Sequence, residues 1–400
     1  MIPRLRPDVG FREFSALFRP ARKNAVQLFE DAFARRMEQA YAIAFPYGRI
    51  GLLCLLEALG IRNREIICPA WTCVVVPHAV VRSGNEPVFV DSARSDYNMN
   101  LDLAEAEIGG RTGALIATSL FGMPVDLDRL EQLRVRHPHI PIIQDCAHSF
   151  GASWNGGLVQ KQGVAAVFGL NVSKLMTSIF GGMVTTDNPE LAKELRTMRN
   201  RRMHKATLFK SWKRRLYFIA AASSLRPVTY GLVNRLERWG ALDAYTRYYD
   251  EARIDLPGDS FTGMSAVEAE IGLVQTTRYG AIVDTRRRNA AVYHRRLSGL
   301  PGLSLPRDVP GHTYSHFTVL TPHRERLMKA ALAEGIQLGM LVEYCIPDMP
   351  AYAGRAGFRD CPVARRLSEQ CVNLPIWGES TEPVLRFFER YNAPGLNNHE

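Results

Sequence analysis

The sequence predicts an α/β protein whose large domain has a mostly parallel sheet flanked by helices, followed by a smaller C-terminal α/β domain. Two observations carry this prediction. In the N-terminal half, short apolar runs alternate with helical patterns, as strands and helices do in α/β units. These runs are also continuously apolar, which is typical of strands that are buried on both faces of a helix-covered sheet.

Six candidate strands lie between residues 65 and 186. They are "EIICP" (Glu65–Pro69), "PVFVD" (Pro87–Asp91), "ALIAT" (Ala114–Thr118), "PIIQD" (Pro141–Asp145), "AAVFG" (Ala165–Gly169) and "GMVTT" (Gly182–Thr186). Amphipathic helices are predicted over Leu52–Leu59 and Leu127–Arg136. Because ligands of parallel sheets bind beyond the carboxyl ends of the strands, residues that follow these runs are candidate site residues.

The chain is too long, at 400 residues, for one small core and suits two domains. Residues 1–40 are predicted to form an N-terminal arm, residues 41–254 the large domain and residues 255–400 the small domain. The small domain is predicted to begin with a long helix near Ser265 and to contain a strand over Ser315–Leu320.

The charge of the chain is concentrated in one segment. The net charge is +10, and ten Lys and Arg against one acid between Arg201 and Arg238 account for +9 of it. A nucleic-acid enzyme would spread basic and aromatic residues over its surface, so no specific nucleic acid is expected as a partner. Seven cysteines without a C-x-x-C pair speak against a disulfide framework or a metal site, and the start of the chain has no apolar leader. We therefore expect a cytoplasmic protein.

Lys174 stands alone in an uncharged stretch. From Gln162 to Thr186 it is the only Asp, Glu, Lys, Arg or His, although the chain has 50 Lys and Arg. Burial would lower the pKa of such an amine, and a neutral amine forms Schiff bases with carbonyl groups. The alternative is a lysine whose ammonium reaches water from a strand–helix loop. The stretch alone leaves both interpretations open.

A carboxylate follows another predicted strand, in "IIQDCAHSFGA". Asp145 has no Lys or Arg beside it in the sequence. An aspartate at a strand end can hold a pyridinium nitrogen protonated, which makes the ring an electron sink; it can equally cap a helix. His148, three residues on, is either a hydrogen-bond partner of the same ligand or a structural histidine.

A turn in "AFPYGRIGLLCLLEAL" precedes an apolar helix and contains Gly48, Arg49 and Ile50. Backbone N–H groups at a helix start bind phosphate, and an arginine adds a charged donor. A plain glycine-containing turn is the alternative. The amine, the carboxylate and the phosphate seat together meet the needs of pyridoxal phosphate, and their joint occurrence is more specific than any one of them.

At these positions the chain resembles the DegT–StrS family of sugar aminotransferases, within the fold-type I pyridoxal phosphate enzymes. The resemblance runs from about Ala44 to Asn200 and from about Gly263 to Tyr391. It is carried by "GRIGLLCLLEALG", "ICPAWTCVVVPHAVVRSGNEPVFVD", "LFGMPVDLDRL", "IIQDCAHSFGA", "FGLNVSKLMTSIFGGMVTTD", "MSAVEAEIGLVQ" and "CPVARRLSEQCVNLPIW". It implies a fold-type I transferase, pyridoxal 5′-phosphate as cofactor and a homodimer.

The resemblance also implies roles for single residues. Lys174 binds the cofactor covalently, Asp145 pairs with the pyridinium nitrogen and His148 lies beside the ring hydroxyl. The Gly48–Ile50 turn then binds the phosphate. The implied activity is transfer of an amino group from glutamate or a similar donor to a keto-sugar, nucleotide-linked or lipid-linked, in glycan or secondary-metabolite biosynthesis. A dehydratase branch of the family has histidine in place of the lysine, so Lys174 favours amination.

The chain departs from the family pattern beside the cofactor ring. Family members commonly stack an aromatic side chain on the ring from the segment that matches "PAWTC". Here the usual stacking position is Cys73, with Trp71 two residues earlier. Either Trp71 covers the ring, or the ring is covered less well and Trp71 belongs to the core.

Two further departures concern the phosphate. The family usually has a phosphate-binding serine five residues before the lysine, where this chain has Gly169; Ser173 or Asn171 is the candidate substitute. The family also tends to have an Asn-aromatic-Arg run before "MS", whose Asn reaches the partner subunit's cofactor. This chain has Phe261–Gly263 there. These departures leave open a catalytically silent pyridoxal phosphate-binding regulatory or scaffold protein.

The basic segment forms a predicted amphipathic insertion at about residues 201–250. Its apolar residues at helical spacing are Phe209, Trp212, Leu216 and Ile219. Lys210 and Arg214 lie opposite this stripe. Two interpretations stay open. In one, residues 209–239 lie on an anionic membrane surface at the cytoplasmic face, and the acceptor is a lipid-linked sugar or non-sugar carbonyl. In the other, the insertion packs on the enzyme or in a dimer interface with its charges solvated.

Overall fold

The computed structural model describes residues 1–94, 96–240, 250–355 and 359–391. Seven strands form one sheet in the order β1-β9-β8-β5-β4-β2-β3. Their bounds are Tyr41–Phe45 (β1), Glu65–Pro69 (β2), Glu86–Val90 (β3), Thr112–Thr118 (β4), Ile142–Asp145 (β5), Ala165–Gly169 (β8) and Gly182–Thr186 (β9). β8, β5, β4, β2 and β3 are parallel, and β9 is antiparallel to both of its neighbours. The predicted α/β fold class is confirmed.

Thirteen helices occur in the described residues, and most of them cover the two faces of the sheet. Their bounds are Phe11–Phe18 (α1), Ala25–Arg36 (α2), Gly48–Ala58 (α3), Val75–Arg82 (α4), Leu101–Ala106 (α5), Leu127–Arg136 (α6), Pro189–Arg202 (α7), Leu208–Ser224 (α8), Pro227–Arg238 (α9), Ala266–Leu297 (α10), Arg324–Ala333 (α11), Pro362–Gln370 (α12) and Thr381–Tyr391 (α13). Two small antiparallel pairs complete the description: Ser153–Trp154 (β6) with Gly157–Leu158 (β7), and Phe317–Leu320 (β10) with Cys371–Leu374 (β11).

Alternate residues of each strand enter different cores, which explains why the strands read as continuous apolar runs. In β1, Ile43 and Phe45 belong to the core on one face of the sheet, and Ala42 and Ala44 to the core on the other. A polar residue at either kind of position would face a dry interior. Each large apolar side chain buried in this way contributes roughly 1.5–3 kcal/mol.

All six predicted strands are present, three of them with the predicted bounds. β1 was missed, although "YAIAF" is a continuous apolar run of strand length. It pairs with β9 antiparallel, and β9 pairs with β8 antiparallel, so β1 runs parallel to β8. The end of β1 therefore lies at the same edge of the sheet as the ends of the parallel strands.

The long helix α10 joins the large core to a third core formed by C-terminal elements. It begins with a capping box in which Ser265 and Glu268 bond each other's backbone N–H. Tyr279 packs in the core on the face of the sheet that contains Ala42 and Ala44. Tyr293 and Leu297 pack against β10 in the third core. The boundaries predicted at residues 41 and 255 stay predictions.

The basic insertion forms two helices rather than one. Pro227 is the first residue of α9, and a break at residues 225–226 separates it from α8. The predicted stripe of α8 faces largely outward, whereas Lys210 and Arg214 face the protein. The interpretation that the insertion's charges are solvated is therefore wrong for these two side chains. The part of the insertion at residues 241–249 lies outside the described residues.

Candidate active site

The candidate site lies where the strand ends meet. β4, β5 and β8 end at Thr118, Asp145 and Gly169, and the register places Thr118 beside Asp145. β1 ends at the same edge, and the turn that follows it leads into α3. The structure thus brings together Lys174, Asp145, His148 and the Gly48 turn, as the sequence predicted.

The Lys174 side chain crosses the end of β8. A methyl group added to Gly169 would lie 3.5 Å from Lys174 Cε and 3.7 Å from Ala147 Cβ, so the amine extends toward the loop after β5. Lys174 is half-buried. Burial lowers the pKa of its ammonium, and the nearby Cys73 and Asp145 oppose this shift. The lowered pKa favours a neutral amine, which is the nucleophilic form.

The loop that carries Lys174 is shaped by its own hydrogen bonds. The Lys174 N–H donates to Asn171 O at 3.0 Å, while Asn171 Oδ1 accepts from the backbone N–H and the hydroxyl of Ser173 at 3.0 and 2.6 Å. Asn171 and Ser173 therefore hold this turn together. Their predicted role as substitutes for a phosphate-binding serine stays a prediction.

Asp145 is a buried carboxylate without a salt bridge among the described residues. One oxygen accepts from Ala147 N at 3.1 Å, and the other from Thr118 Oγ1 at 3.2 Å. Burial raises the pKa of Asp145, against the two hydrogen bonds and the charge of Lys174. A cationic ligand group would remove much of this penalty, because a nearby positive charge favours the ionised carboxylate.

His148 is held in its neutral form and in one tautomer. The Phe121 N–H donates to His148 Nδ1 at 3.3 Å, so the ring proton is on Nε2. The Phe121 ring stacks on the imidazole, with centroids 5.9 Å apart. Burial, with Lys174 and His316 nearby, lowers the pKa of His148 well below its usual value. Nε2–H is thus available to donate to a ligand oxygen.

The Gly48 turn, which the sequence predicts to bind phosphate, is positioned by direct contact between backbones. A Cβ atom at Gly182 would lie 2.3 Å from Gly48 N, and one at Gly48 would lie 3.0 Å from Phe168 O. α3 has no side-chain cap, so its start is a polar N–H surface. The Ile50 N–H is already used, since it donates to Tyr47 O at 3.1 Å.

We expect Gly182→Ala to displace the Gly48 turn, because the clash is with backbone that cannot rotate away. Overpacking of this kind costs about 1–3 kcal/mol, and the displaced turn should bind phosphate more weakly. Thermal unfolding and cofactor titration measure the two effects. Gly110→Ala is the matched control, since its Cβ would meet nothing within 4 Å and its backbone is not left-handed. Unchanged cofactor affinity in Gly182→Ala would contradict the role given to this contact.

Trp71 and Cys73 differ in their surroundings. The buried Trp71 donates its indole N–H to Val342 O at 3.1 Å, and its ring packs edge-on against Tyr97 and Phe121. Trp71 is thus integrated in the core, one ring away from His148. Cys73 is half-buried and acts electrostatically on Lys174. Whether Trp71 covers a cofactor ring, or the ring is covered less well, stays a prediction.

Sequence reasoning missed two residues of this site and gave a third no role. Thr118 had a signal, because it ends a predicted strand beside the one that ends at Asp145. Phe121 had none, because its contact with His148 depends on a left-handed backbone (φ 56°) in the loop after β4. His316 lies 5.6 Å from the His148 ring, and burial lowers its pKa to about 3. It lies just before β10, far from His148 in sequence.

The groups fit pyridoxal phosphate. A buried carboxylate without a salt bridge among the described residues suits the ring nitrogen, and His148 Nε2–H suits the ring oxygen. The uncapped start of α3 suits the phosphate, and the amine of Lys174 suits the aldehyde. The fold and this set of groups define a fold-type I pyridoxal phosphate-dependent transferase.

Comparison with known proteins names the family. A model of the DegT/DnrJ/EryC1/StrS aminotransferase family matches residues 21–386. The chain therefore belongs to this family and is a pyridoxal phosphate-dependent aminotransferase.

Individual relatives agree over most of the chain. It is 26% identical over 374 residues to GDP-perosamine synthase of Escherichia coli O157:H7, which covers 92% of this chain and 90% of that protein. It resembles the structure of S. venezuelae DesV (TM-score 0.74, 25% identity, 95% and 94% of the two chains). The structure of DesI, determined in the presence of its TDP-sugar product, has a similar fold (TM-score 0.75, 23% identity, 99% and 93%).

Proposed function

We propose that this enzyme transfers an amino group from glutamate to a keto-sugar that is carried by a nucleotide. One observation carries the catalytic part of the proposal: Lys174, Asp145, His148 and the Gly48 turn converge at one edge of the sheet. The acceptor class is supported by relatives that are named for a GDP-linked or TDP-linked sugar.

Four groups hold the cofactor in this proposal, and the first is the amine of Lys174, which binds its aldehyde. The Asp145 carboxylate pairs with the ring nitrogen, and His148 Nε2–H donates to the ring hydroxyl. The start of α3, with Gly48 and Arg49, binds the phosphate. When bound, pyridoxal phosphate withdraws electrons from the substrate α-carbon and so makes its proton acidic.

Lys174 moves the proton in each half-reaction. Its Cε lies beside Gly169 at the end of β8, and the lowered pKa of the amine keeps it ready to accept a proton from the donor α-carbon. Asp145 stays ionised beside the ring and keeps the ring nitrogen charged.

The test is a separation of the two half-reactions. Glutamate added to the cofactor-loaded enzyme should bleach the visible cofactor band. After removal of glutamate, keto-sugars linked to TDP, GDP or a lipid carrier are added one at a time, and a productive acceptor restores the band. A band that no amino donor bleaches would favour the regulatory or scaffold protein. Restoration only by a lipid-linked or non-sugar carbonyl would reject the nucleotide-linked acceptor.

The proposal includes a homodimer in a reducing compartment. The seven cysteines are all unpaired, which fits the cytoplasm. Light scattering on a sizing column should give twice the 44.9 kDa mass of the chain. A monomer that retains full activity would reject the dimer.

The predicted membrane contact of residues 209–239 is a separate matter, since it rests on α8 and α9 and not on the active site. No helix in the described ranges combines the length and hydropathy needed to cross a bilayer.

A further inference from the structure

The helical hairpin of α8 and α9 exposes apolar side chains on both of its helices. Trp212 is 55% exposed and Val228 is 95% exposed. The full set of large apolar side chains exposed on the hairpin is Leu208, Phe209, Trp212, Leu216, Val228, Leu232 and Trp239. Single exposed apolar residues are ordinary, but seven within 32 residues of sequence, at helical spacing on each helix, indicate a contact surface.

The apolar face of α8 is outward because its basic face is bound to the enzyme. Arg214 donates to Glu268 at 2.9 Å and to Asp259 at 2.6 Å, and Glu268 is almost completely buried. Lys210 Nζ donates to the carbonyls of Thr262 and Gly263 at 2.7 and 2.9 Å. Turning the helix over would leave the Glu268 carboxylate buried and unpaired, at a cost of several kcal/mol.

The exposed charges of the hairpin all have one sign. They belong to Lys213, Arg226, Arg235 and Arg238, and to Lys205 three residues before α8. Glu237 is the only acidic residue from Lys205 to Trp239, and it is half-buried and pairs with Arg4. The hairpin therefore combines exposed aromatic and aliphatic side chains with unopposed positive charge.

We propose that the outer faces of α8 and α9 bind the surface of an anionic lipid bilayer. Apolar side chains enter the boundary between headgroups and acyl chains, and Lys and Arg meet the anionic headgroups, as in amphipathic helices that lie on membranes. The enzyme is held on the bilayer and does not cross it. This inference does not depend on which acceptor the enzyme uses.

The charge pattern argues for lipid against two other occupants. A two-fold dimer whose axis passes through this surface would bring five cations of one copy against five of the other without an acid to offset them. A nucleic acid would match the charge and could stack on Trp212. A nucleic acid would leave the side chains of Leu208, Leu216, Val228 and Leu232 exposed to water, whereas a bilayer buries them.

The bilayer would lie close to the active site. On the side of α8 opposite to its exposed stripe, Arg214 donates to Tyr47 at 3.2 Å, and its guanidinium lies 4.1 Å from the ring centroid of Phe180. Tyr47 precedes the Gly48 turn, and Phe180 lies in the loop of Lys174. Only the thickness of one helix, about 10–12 Å, separates these residues from the proposed surface.

The experiment is flotation of the cofactor-loaded enzyme with phosphatidylcholine vesicles that contain or lack phosphatidylglycerol. The wild type should float with the anionic vesicles, and less so as salt rises. Trp212→Glu/Leu216→Glu should abolish flotation, and its matched control is Leu103→Glu/Val135→Glu, which changes two exposed apolar residues on other helices.

Lys213→Glu/Arg235→Glu should weaken binding by at least roughly fivefold per charge. Lys193→Glu/Lys329→Glu, at exposed lysines elsewhere, has the same net charge and should bind like the wild type.

The outcomes distinguish a lipid bilayer, a second copy of the chain and a nucleic acid as the partner of this surface. They do not depend on whether the proposed aminotransferase reaction is correct. All variants keep the cofactor band, since none of the changed residues lies in the active site. The inference is overturned if the wild type stays with the soluble fraction, or if the hairpin variants float as well as their controls. A change of oligomer mass in the hairpin variants without loss of flotation would assign the surface to a second copy. Tight binding to DNA with no binding to vesicles would assign it to nucleic acid.

Discussion

Lys174→Ala is expected to abolish turnover while leaving the fold intact. In the proposed mechanism the change removes both the group that binds the cofactor and the base that moves the substrate proton. Loss of proton transfer alone costs roughly 10²–10⁴-fold. The fold should tolerate the change because the Lys174 side chain has no hydrogen bond or salt bridge within the described ranges and is half-buried. Steady-state amination with glutamate measures the effect.

A chemical readout supports the kinetic one. Borohydride reduction of the loaded wild type, followed by peptide mass analysis, should place a stable adduct on the peptide that contains Lys174. Lys161→Ala is the control, since Lys161 is exposed and precedes the same strand. An adduct on another lysine, or undiminished activity of Lys174→Ala, would refute the assignment.

The apolar runs in the sequence predicted the strands of the sheet, because a strand that is covered on both faces needs apolar residues throughout. β2 and β8 have the bounds that their apolar runs indicated, since both faces of these strands are covered. The positions of Lys174 and Asp145 followed, because parallel strands bring their carboxyl ends to one edge. β1 does not pair with a strand close to it in the sequence. Its partner β9 comes about 140 residues later, so the pairing of β1 with β9 could not be inferred from the local sequence.

The orientation of α8 could not be predicted from its own residues. The helical period correctly grouped Phe209, Trp212 and Leu216 on one side. Which side faces the enzyme depends on Asp259 and Glu268, far along the chain, whose carboxylates draw Arg214 inward. The ion pairs act together with the buried Phe218 and Ala222 on the same side of α8. An unpaired buried carboxylate costs more than an exposed leucine, so this side faces the enzyme.

The close approach of Gly48 and Gly182 could not be predicted from the sequence either. A glycine in a turn indicates backbone freedom but not which backbone approaches it. The register of β1, β9 and β8 decides this, since Gly182 pairs with both Phe45 and Gly169. The role of Trp71 likewise depended on tertiary contacts, with Val342 and Phe121, that no spacing predicts.

Asp145→Asn is expected to reduce turnover by roughly 10²–10³-fold, the usual effect of removing one preorganised electrostatic group. The amide carries no charge to keep the ring nitrogen protonated, so the cofactor withdraws electrons less strongly. The shape of the site should be kept, because an asparagine oxygen accepts from Ala147 as the carboxylate does. Single-turnover bleaching of the cofactor band by glutamate measures this step directly. Asp284→Asn, at an exposed position on α10, is the control.

The same substitution should stabilise the cofactor-free protein, which makes the test independent of activity. The folded-state pKa of Asp145 is raised above its usual 3.8, mainly by burial. A carboxyl group with a raised pKa binds its proton more tightly when folded, so its ionisation opposes folding once the pH rises above the unfolded value. The advantage of Asp145→Asn should thus be absent below about pH 3.8, grow as the pH rises and be complete above the folded pKa. Chemical unfolding across this range measures it.

A cofactor-free variant less stable than wild type at neutral pH would contradict this prediction. It would show that groups of the protein already stabilise the charge of the Asp145 carboxylate, and the pairing with a cationic ring nitrogen would lose its physical basis.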